Sequence, residues 1–306
     1  MSDLSGHVED YLRLRRALGY KLEREAQLLA QLVAYLETAG AATVTAELAI
    51  AWARLPAGAQ PNHWAKRLSA ARKFAAYLQT VDSAAEVPPS GVFPARRRRL
   101  TPFSWSEDDI AGLLEAARAL RPVLRAASHE TLFGLLAASG MRIGEAIAIG
   151  RDDVDLDAGV ITIRHAKLDR CRLVPLHPST TEALRRYAAE RDRLCPRPAS
   201  KTFFVSSVGT ALSRSGVDKT FRDLTTAIGI RTATVRPRVH DLRHGFAVAC
   251  LIRWQQSGAS IDEHIATLST YLGHVRPADT YWYLSAAPEL MGLAAERLDE
   301  RFGAHR

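Results

Sequence analysis

Apolar residues recur at steps of three and four positions along the first 86 residues, with charged residues between them. The pattern runs from Leu12 to Leu36 and is interrupted at Gly19, which predicts two amphipathic helices that meet near that glycine. Similar spacing predicts two further helices at 45–55 and 62–80. Residues 1–86 are therefore expected to form a helical domain.

A segment without helical spacing follows at 87–102. It contains four prolines, one glycine and the run Arg96, Arg97, Arg98 and Arg99. Prolines interrupt regular structure, so this composition predicts a basic linker between two domains, 1–86 and 103–306. Four consecutive arginines either stay solvated or lie along a phosphate backbone.

The pattern from residue 103 onward is mixed. A helix is predicted after Ser106, a mostly apolar helix over 128–149, and further helices at 180–194 and 213–228. Between them, short β-like runs separated by turns predict a small antiparallel sheet over 152–176. The chain is thus expected to be mainly α, with a small antiparallel β-sheet in an α+β C-terminal domain.

Composition narrows the class of protein. The 306 residues are 47% hydrophobic, enough for two cores, and the formal net charge of +8 favours a polyanionic partner without identifying one. The three cysteines are scattered, so neither a disulfide framework nor a cysteine zinc site is indicated. With no apolar run of membrane-spanning length, a cytoplasmic protein that does not contact a membrane is predicted.

Candidate chemistry concentrates between His240 and Tyr283. If a helix begins at His240, then His240, Arg243 and His244 stand at i, i+3 and i+4 and share one face. Two imidazoles and a guanidinium suit a substrate with negative oxygens, such as a phosphate. The two histidines are also spaced as zinc ligands would be, although the neighbouring arginine disfavours a divalent cation.

Two other features leave alternatives open. Arg142 and Glu145 stand among small and aliphatic residues, and a buried arginine must be paired, so Arg142 bonds Glu145, faces a site, or does both. Tyr283 lies beside Tyr281 and Trp282, and an aromatic trio usually packs in a core. Tyr281, two positions earlier, carries the same phenol and is the nearest alternative to Tyr283 in a functional role.

Five motifs, in order and spacing, resemble those of the tyrosine recombinases, the phage integrase family. They are Ser139-Gly140-Met141-Arg142-Ile143-Gly144-Glu145, Lys167 before Arg172-Leu173-Val174-Pro175-Leu176, His240-Asp241-Leu242-Arg243-His244, Leu272-Gly273-His274, and Tyr283. The resemblance implies a SAM-like helical core-binding domain at 1–86 and the family's catalytic domain at 103–306. The layout is similar to simple two-domain members, Xer-like or transposon-borne.

The resemblance implies an enzyme that cleaves and rejoins DNA through 3′-phosphotyrosyl intermediates. It implies the catalytic residues Arg142, Lys167, His240, Arg243, His274 and Tyr283, with Glu145 orienting and His244 structural. Such a displacement needs a nucleophile, charge neutralisation and a proton for the leaving 5′-oxygen. Tyr283, the two arginines and Lys167 respectively fit these roles. No metal or other cofactor is expected.

The implied partner is double-stranded DNA with an inverted-repeat core site, bound at the nucleoid by a homotetramer, with or without related recombinase subunits. Phosphate contacts are predicted at Lys66, Arg67, Arg72, Arg96, Arg97, Arg98, Arg99, Lys219 and Arg222. Two other functions share these features. One is relaxation of DNA by a type IB topoisomerase, and the other is DNA binding by a catalytically inactive accessory subunit.

Apolar residues at helical spacing follow Tyr283 and predict a tail helix. They include Leu290, Met291, Leu293, Leu298 and Phe302. In the resembling family such a tail docks on a neighbouring protomer, whereas the spacing alone equally fits a helix packed on its own domain.

Overall fold

The computed structural model describes residues 4–94, 101–166, 170–274, 276, 278–286 and 292. The chain divides into two compact units, Met1–Leu100 and Thr101–Arg306. Lys167, the run Arg96–Arg99 and most of the tail after residue 286 lie outside the described residues. Within the described ranges, every helix is too short or too polar to cross a lipid bilayer.

The N-terminal unit is helical, as predicted. Its helices are α1 (Leu4–Ala17), α2 (Glu23–Thr38), α3 (Ala46–Arg54) and α4 (Pro61–Leu78). The predicted break between the first two helices is confirmed at Gly19, whose φ of 83° suits a residue without a Cβ. The apolar stripes of these helices meet in one core that includes Leu32, Trp52 and Phe74.

Part of the segment predicted as a linker packs against this core. Phe93 is buried, and its ring centroid lies 5.8 Å from that of Trp64. Arg72 Nε donates to the Pro88 carbonyl at 2.6 Å. Prolines end regular structure without preventing burial, so residues 87–93 form an irregular but packed extension of the N-terminal unit.

The C-terminal unit combines eight described α-helices and a short 3-10 helix (Arg151–Asp153) with a small sheet. The helices are α5 (Glu107–Arg118), α6 (Val123–Ser139), α7 (Ile143–Ala146), α8 (Pro178–Leu194), α9 (Arg214–Ala227), α10 (Val239–Gln256), α11 (Ile261–Leu272) and α12 (Ala278–Ala286). The strands are β1 (Val154–Asp155), β2 (Val160–Ala166) and β3 (Arg170–Pro175). They pair antiparallel in the order β1-β2-β3, which confirms the predicted sheet.

The single helix predicted over 128–149 is wrong in its extent. Helix α6 ends at Ser139, and Gly140 adopts a left-handed conformation with φ 60°. A Cβ at position 140 would lie 2.5 Å from the ring of Phe246, so glycine is also required for space. Helices α6 and α7 are both buried, so the sequence is apolar before and after Gly140. The apolar pattern therefore does not reveal the turn that places Arg142 at the start of α7.

Candidate active site

The C-terminal end of α11 receives two arginines that are distant in sequence. Arg243 Nη2 donates to the Leu272 carbonyl at 2.8 Å, and Arg142 Nη2 donates to the Gly273 carbonyl at 2.8 Å. The last carbonyls of a helix lack intrahelical partners and carry partial negative charge, so cations are stabilised there. The helix end thereby sets the two guanidinium groups side by side.

Arg243 is the more deeply buried of the two, with 1% of the residue exposed. Its Nη1 donates to the Gly140 carbonyl at 2.8 Å, so both of its hydrogen bonds to the backbone go to neutral groups. Burial, and then the nearby charge of Arg142, lower the pKa of Arg243 to about 10, while the Tyr283 phenol opposes the shift. The group remains protonated at neutral pH and keeps its charge for an anionic ligand.

Arg142 is held by Glu145 from the first turn of α7. Arg142 Nη1 donates to Oε1 of Glu145 at 2.8 Å, and the Arg142 backbone N–H donates to Oε2 at 3.0 Å. Arg172 of β3 bonds the same carboxylate at 3.0 and 2.7 Å. Burial raises the pKa of Glu145, but hydrogen bonds and charge from Arg172, then Arg142, outweigh it and lower the value to about 2.

His240 and His244 lie in the first turns of α10, which begins where the sequence predicts. His240 is exposed, yet the surrounding protein and then the Arg243 charge lower its pKa. His244 is buried, and its ring centroid lies 5.1 Å from those of Trp282 and Tyr283. The first histidine is thus available to a ligand, whereas the second packs against α12.

His274 directly follows the glycine that ends α11. Its Nδ1 lies 2.6 Å from Oγ1 of Thr280, a residue with no exposed surface. Burial, and then the charges of Arg243 and Arg142, lower the pKa of His274 to about 4. The imidazole is therefore neutral at pH 7, with one ring nitrogen able to donate and the other able to accept.

Tyr283 lies on the inner side of α12 with 4% of its surface exposed. Its ring stacks on that of His274, with centroids 5.9 Å apart and planes inclined by 22°. Tyr281, the competing tyrosine, is 47% exposed. Of the two tyrosines, Tyr283 is the one that lies among the histidines and beside Arg243.

The buried Tyr283 lies with two arginines and the histidines in a site built from four separate segments of the chain. These segments carry four of the five sequence motifs. The model of the Phage integrase family matches residues 105–289, more than half of the chain. This chain is a tyrosine recombinase of the phage integrase family. Members of this family are DNA strand-transfer enzymes.

Two relatives illustrate the similarity in sequence. The integrase/recombinase y4rB of Sinorhizobium fredii is 43% identical over 310 aligned positions, which cover 99% of each chain. The tyrosine recombinase XerC of Chromobacterium violaceum is 30% identical over 239 positions, covering 78% of this chain and 74% of the relative. The first similarity spans both units of the recombinase.

Solved structures share the fold at low sequence identity. The integrase of transposon Tn1549 in complex with a circular-intermediate DNA has a TM-score of 0.67 at 15% identity, covering 97% of this chain and 100% of that one. A lambda integrase tetramer bound to a Holliday junction has a TM-score of 0.60 at 16% identity, covering 90% and 78%. Recombinases bound to DNA are thus among the structural neighbours.

The residues predicted to contact phosphates differ in how exposed they are. Lys66 is exposed and lines a groove between α2 and α4 with Arg24, Glu25 and Lys73. Arg67 corrects the prediction: it is buried, its guanidinium donates to the Trp52 carbonyl at 3.0 Å, and it lies 3.9 Å above the Trp52 ring. A guanidinium held in this way is not presented to a phosphate.

The remaining predicted contacts that the structure describes are at the surface or partly buried. Lys219 and Arg222 are exposed on α9, and Lys219 Nζ pairs with Asp223 at 2.7 Å. Arg72 is partly buried, and its Nε is engaged by the Pro88 carbonyl. Arg96 to Arg99 and the predicted general acid Lys167 lie outside the described residues.

Sequence reasoning missed two residues of the site, Arg172 and Thr280. Arg172 belongs to the motif at 172–176, but the resemblance assigns it no role. Strand alternation could have identified it, because Arg172 and the buried Val174 point to the same side of β3 while Cys171 and Leu173 are exposed. An arginine on the buried side of a strand needs a carboxylate. The contact of Thr280 with His274 has no comparable signal in the sequence.

Proposed function

We propose that this recombinase cleaves and rejoins DNA at a specific site with Tyr283 as the nucleophile. The observation that carries the proposal is the position of the Tyr283 ring, stacked on His274 and beside the buried Arg243. The family relationship supports the same chemistry and favours neither a topoisomerase nor an inactive accessory protein. The proposal includes a role for each residue of the site.

In the proposed reaction the Tyr283 oxygen attacks the scissile phosphorus and the 5′-oxygen of the DNA leaves. Arg142 and Arg243 bind the non-bridging oxygens and stabilise charge in the transition state. His240 and His274, neutral near pH 7, donate to those oxygens or accept the phenolic proton. Lys167 supplies the proton to the leaving oxygen. Because the phosphotyrosyl bond replaces one phosphodiester bond, attack by a 5′-hydroxyl rejoins a strand without another energy source.

The proposed partner is double-stranded DNA with an inverted-repeat core site, recognised by four copies of the chain, with or without related subunits, at the nucleoid. The DNA-bound integrase and tetramer structures of the same fold support this assembly. We assign core-site binding to the helical residues 1–86 and catalysis to 103–306, with 87–102 as the connection. Exposed Lys66, Lys219 and Arg222 are the proposed phosphate contacts.

The test uses DNA that the protein itself selects. A randomised pool of nicked duplexes is incubated with wild-type protein, and adducts that survive detergent are recovered and amplified. Tyr283→Phe should abolish adduct formation on the selected duplex, because phenylalanine lacks the attacking oxygen. Tyr281→Phe, two residues away on the exposed side of the same helix, is the matched control and should keep adduct formation.

Adducts in Tyr283→Phe, or their loss only in Tyr281→Phe, would reject Tyr283 as the nucleophile. Failure of the wild-type protein to form any adduct with the pool would reject the proposed activity. Mass spectrometry of the tryptic peptide linked to DNA then identifies the modified residue directly.

A further inference from the structure

We infer that Arg172 is a positioning residue of the recombination site. It binds Glu145, and this keeps Arg142 in place and leaves the Arg142 charge available to the scissile phosphate. The inference rests on the proposed function and adds a residue to it. Arg172 touches neither the nucleophile nor, in this assignment, the DNA.

The contacts of Arg172 fix all three nitrogen positions of its guanidinium. Nη1 and Nη2 donate to the two oxygens of Glu145 at 3.0 and 2.7 Å, and Nε donates to the Tyr271 carbonyl at 3.2 Å. The side chain is 11% exposed. A bidentate arginine–carboxylate pair has a defined orientation, so Arg172 sets the plane of the carboxylate that Arg142 then uses.

The charges of the group explain why a second arginine is needed. Arg142, Glu145 and Arg172 together carry a net charge of +1, whereas Arg142 and Glu145 without Arg172 would carry none. The 2.8 Å contact between Arg142 and Glu145 would then neutralise the cation meant for the phosphate. Arg172 shares the carboxylate, and the attraction of Arg142 for an anion is preserved.

The fold reserves space for this arginine. A Cβ at position 273 would lie 2.5 Å from Arg172 Nη1 and 2.9 Å from its Cζ. Gly273 also supplies the carbonyl that receives Arg142 Nη2. Gly273 thus leaves space for Arg172 because it lacks a Cβ, and its carbonyl oxygen accepts the hydrogen bond from Arg142. Arg172 ties β3, which follows directly after the predicted Lys167 turn, to the phosphate-binding arginines.

The experiment measures single-turnover adduct formation on the duplex selected by wild-type protein. Two versions of that duplex are compared, one with the natural scissile phosphate and one with an uncharged methylphosphonate at the same position. Arg172→Ala and Arg172→Lys are tested, with thermal unfolding and DNA affinity measured for each. Arg164→Ala is the matched control, because Arg164 on the adjacent strand β2 pairs with Asp153 at the surface.

On the natural phosphate, Arg172→Ala should slow adduct formation by about 10²-fold, comparable to removing one stabilising donor. On the methylphosphonate, the same variant should react within about threefold of wild type, because the Arg142 charge is then not required. Arg172→Lys keeps the charge without the bidentate contact. Its rate on the natural phosphate should lie between the rates of wild type and Arg172→Ala. Arg164→Ala should match wild type on both duplexes.

Equal losses on the two duplexes would overturn the inference, since a merely misfolded site fails with either substrate. An unchanged rate on the natural phosphate would also overturn it. These outcomes differ from failure of the proposed function, in which the wild-type protein forms no adduct on either duplex. If Arg172→Ala unfolds, the test is made with Arg172→Lys. A loss of rate on the natural phosphate alone supports the inference, and equal losses on the two duplexes contradict it.

Discussion

The hydroxyl of Thr280 is buried against His274 at a distance that leaves room for one proton between Oγ1 and Nδ1. A hydroxyl can donate to a ring nitrogen or accept from it, so this contact occupies Nδ1 in either neutral tautomer of the imidazole. Because the pKa of His274 is lowered to about 4 by burial and by the two arginines, the neutral form is the relevant one at pH 7. The contact with Thr280 occupies Nδ1 and leaves Nε2 of His274 for a hydrogen bond to a substrate.

Thr280→Val should slow single-turnover adduct formation by about 10²-fold, the lower end of what a positioned acid or base contributes. Valine keeps the shape of threonine and removes the hydroxyl, so Nδ1 loses its partner. Thr280→Ser, which keeps the hydroxyl, should stay close to the wild-type rate. Equal rates in the valine and serine variants would show that the hydrogen bond between Thr280 and His274 does not contribute to adduct formation.

Arg67 illustrates where residue-level prediction fails. The sequence of α4 places cations beside an apolar stripe, and Lys66 and Lys73 are indeed exposed. Arg67 lies at the edge of that stripe, and its long side chain extends inward to the Trp52 ring and carbonyl. The acceptor belongs to another helix, so the direction of the side chain depends on packing that helical spacing does not encode.

The turn between α6 and α7 has a defined shape at Gly140, and this turn supplies one of the two carbonyls that hold Arg243. Gly140→Ala should destabilise the protein by at least about 3 kcal/mol, since the left-handed conformation and the contact with Phe246 both oppose a Cβ. Chemical denaturation of the full chain measures this change.

Gly229→Ala is the matched control for that prediction. Gly229 has a similar positive φ of 76°, but a Cβ there meets no atom within 4 Å. It should cost about 1 kcal/mol from backbone conformation alone. If the two variants were equally destabilised, the close approach of Phe246 would have no energetic effect, and the packing argument for Gly140 would fail.

Elements were predicted from sequence more completely than the contacts between them. Alternation and helical spacing predict the helices of the N-terminal unit, the small antiparallel sheet and the start of α10 near His240. The same spacing ran through Gly140 and missed the turn, because a buried turn is as apolar as the helices it joins. Several residues of the site lie at the ends of helices. The position of these helix ends depends on contacts between residues distant in sequence, such as Arg142 with Gly273.

At the scale of the whole molecule, the C-terminal unit places several positive or titratable groups together. Burial, and then the charges of Arg243 and Arg142, lower the pKa of His274. The surrounding protein, and then the charge of Arg243, lower the pKa of His240. In the unfolded chain these histidines take up protons near pH 6.5, whereas in the folded chain they do so at lower pH. The unfolded state therefore binds more protons in this range, and stability falls as the pH is lowered.

We expect wild-type protein to lose stability to urea between about pH 7 and about pH 5, and His274→Gln to lose measurably less. Glutamine cannot take up the proton, so its share of the pH dependence disappears while that of His240 remains. Comparing the pH effect between the two proteins cancels contributions from the rest of the chain. An identical pH effect in both would show that His274 is not held neutral by its surroundings.

The two carbonyls at the end of α11 also bear on how the recombinase can change over evolution. Every residue has a carbonyl oxygen, so no side-chain substitution deletes the acceptors that hold Arg243 and Arg142. The arginines are thus tied to a position along the main chain rather than to the chemistry of particular side chains. Substitutions along α11 that preserve its packing leave the acceptors intact, whereas inserting or deleting one residue before Gly273 shifts both arginines at once. For this region, the length of the helix constrains the position of the arginines more strictly than its composition does.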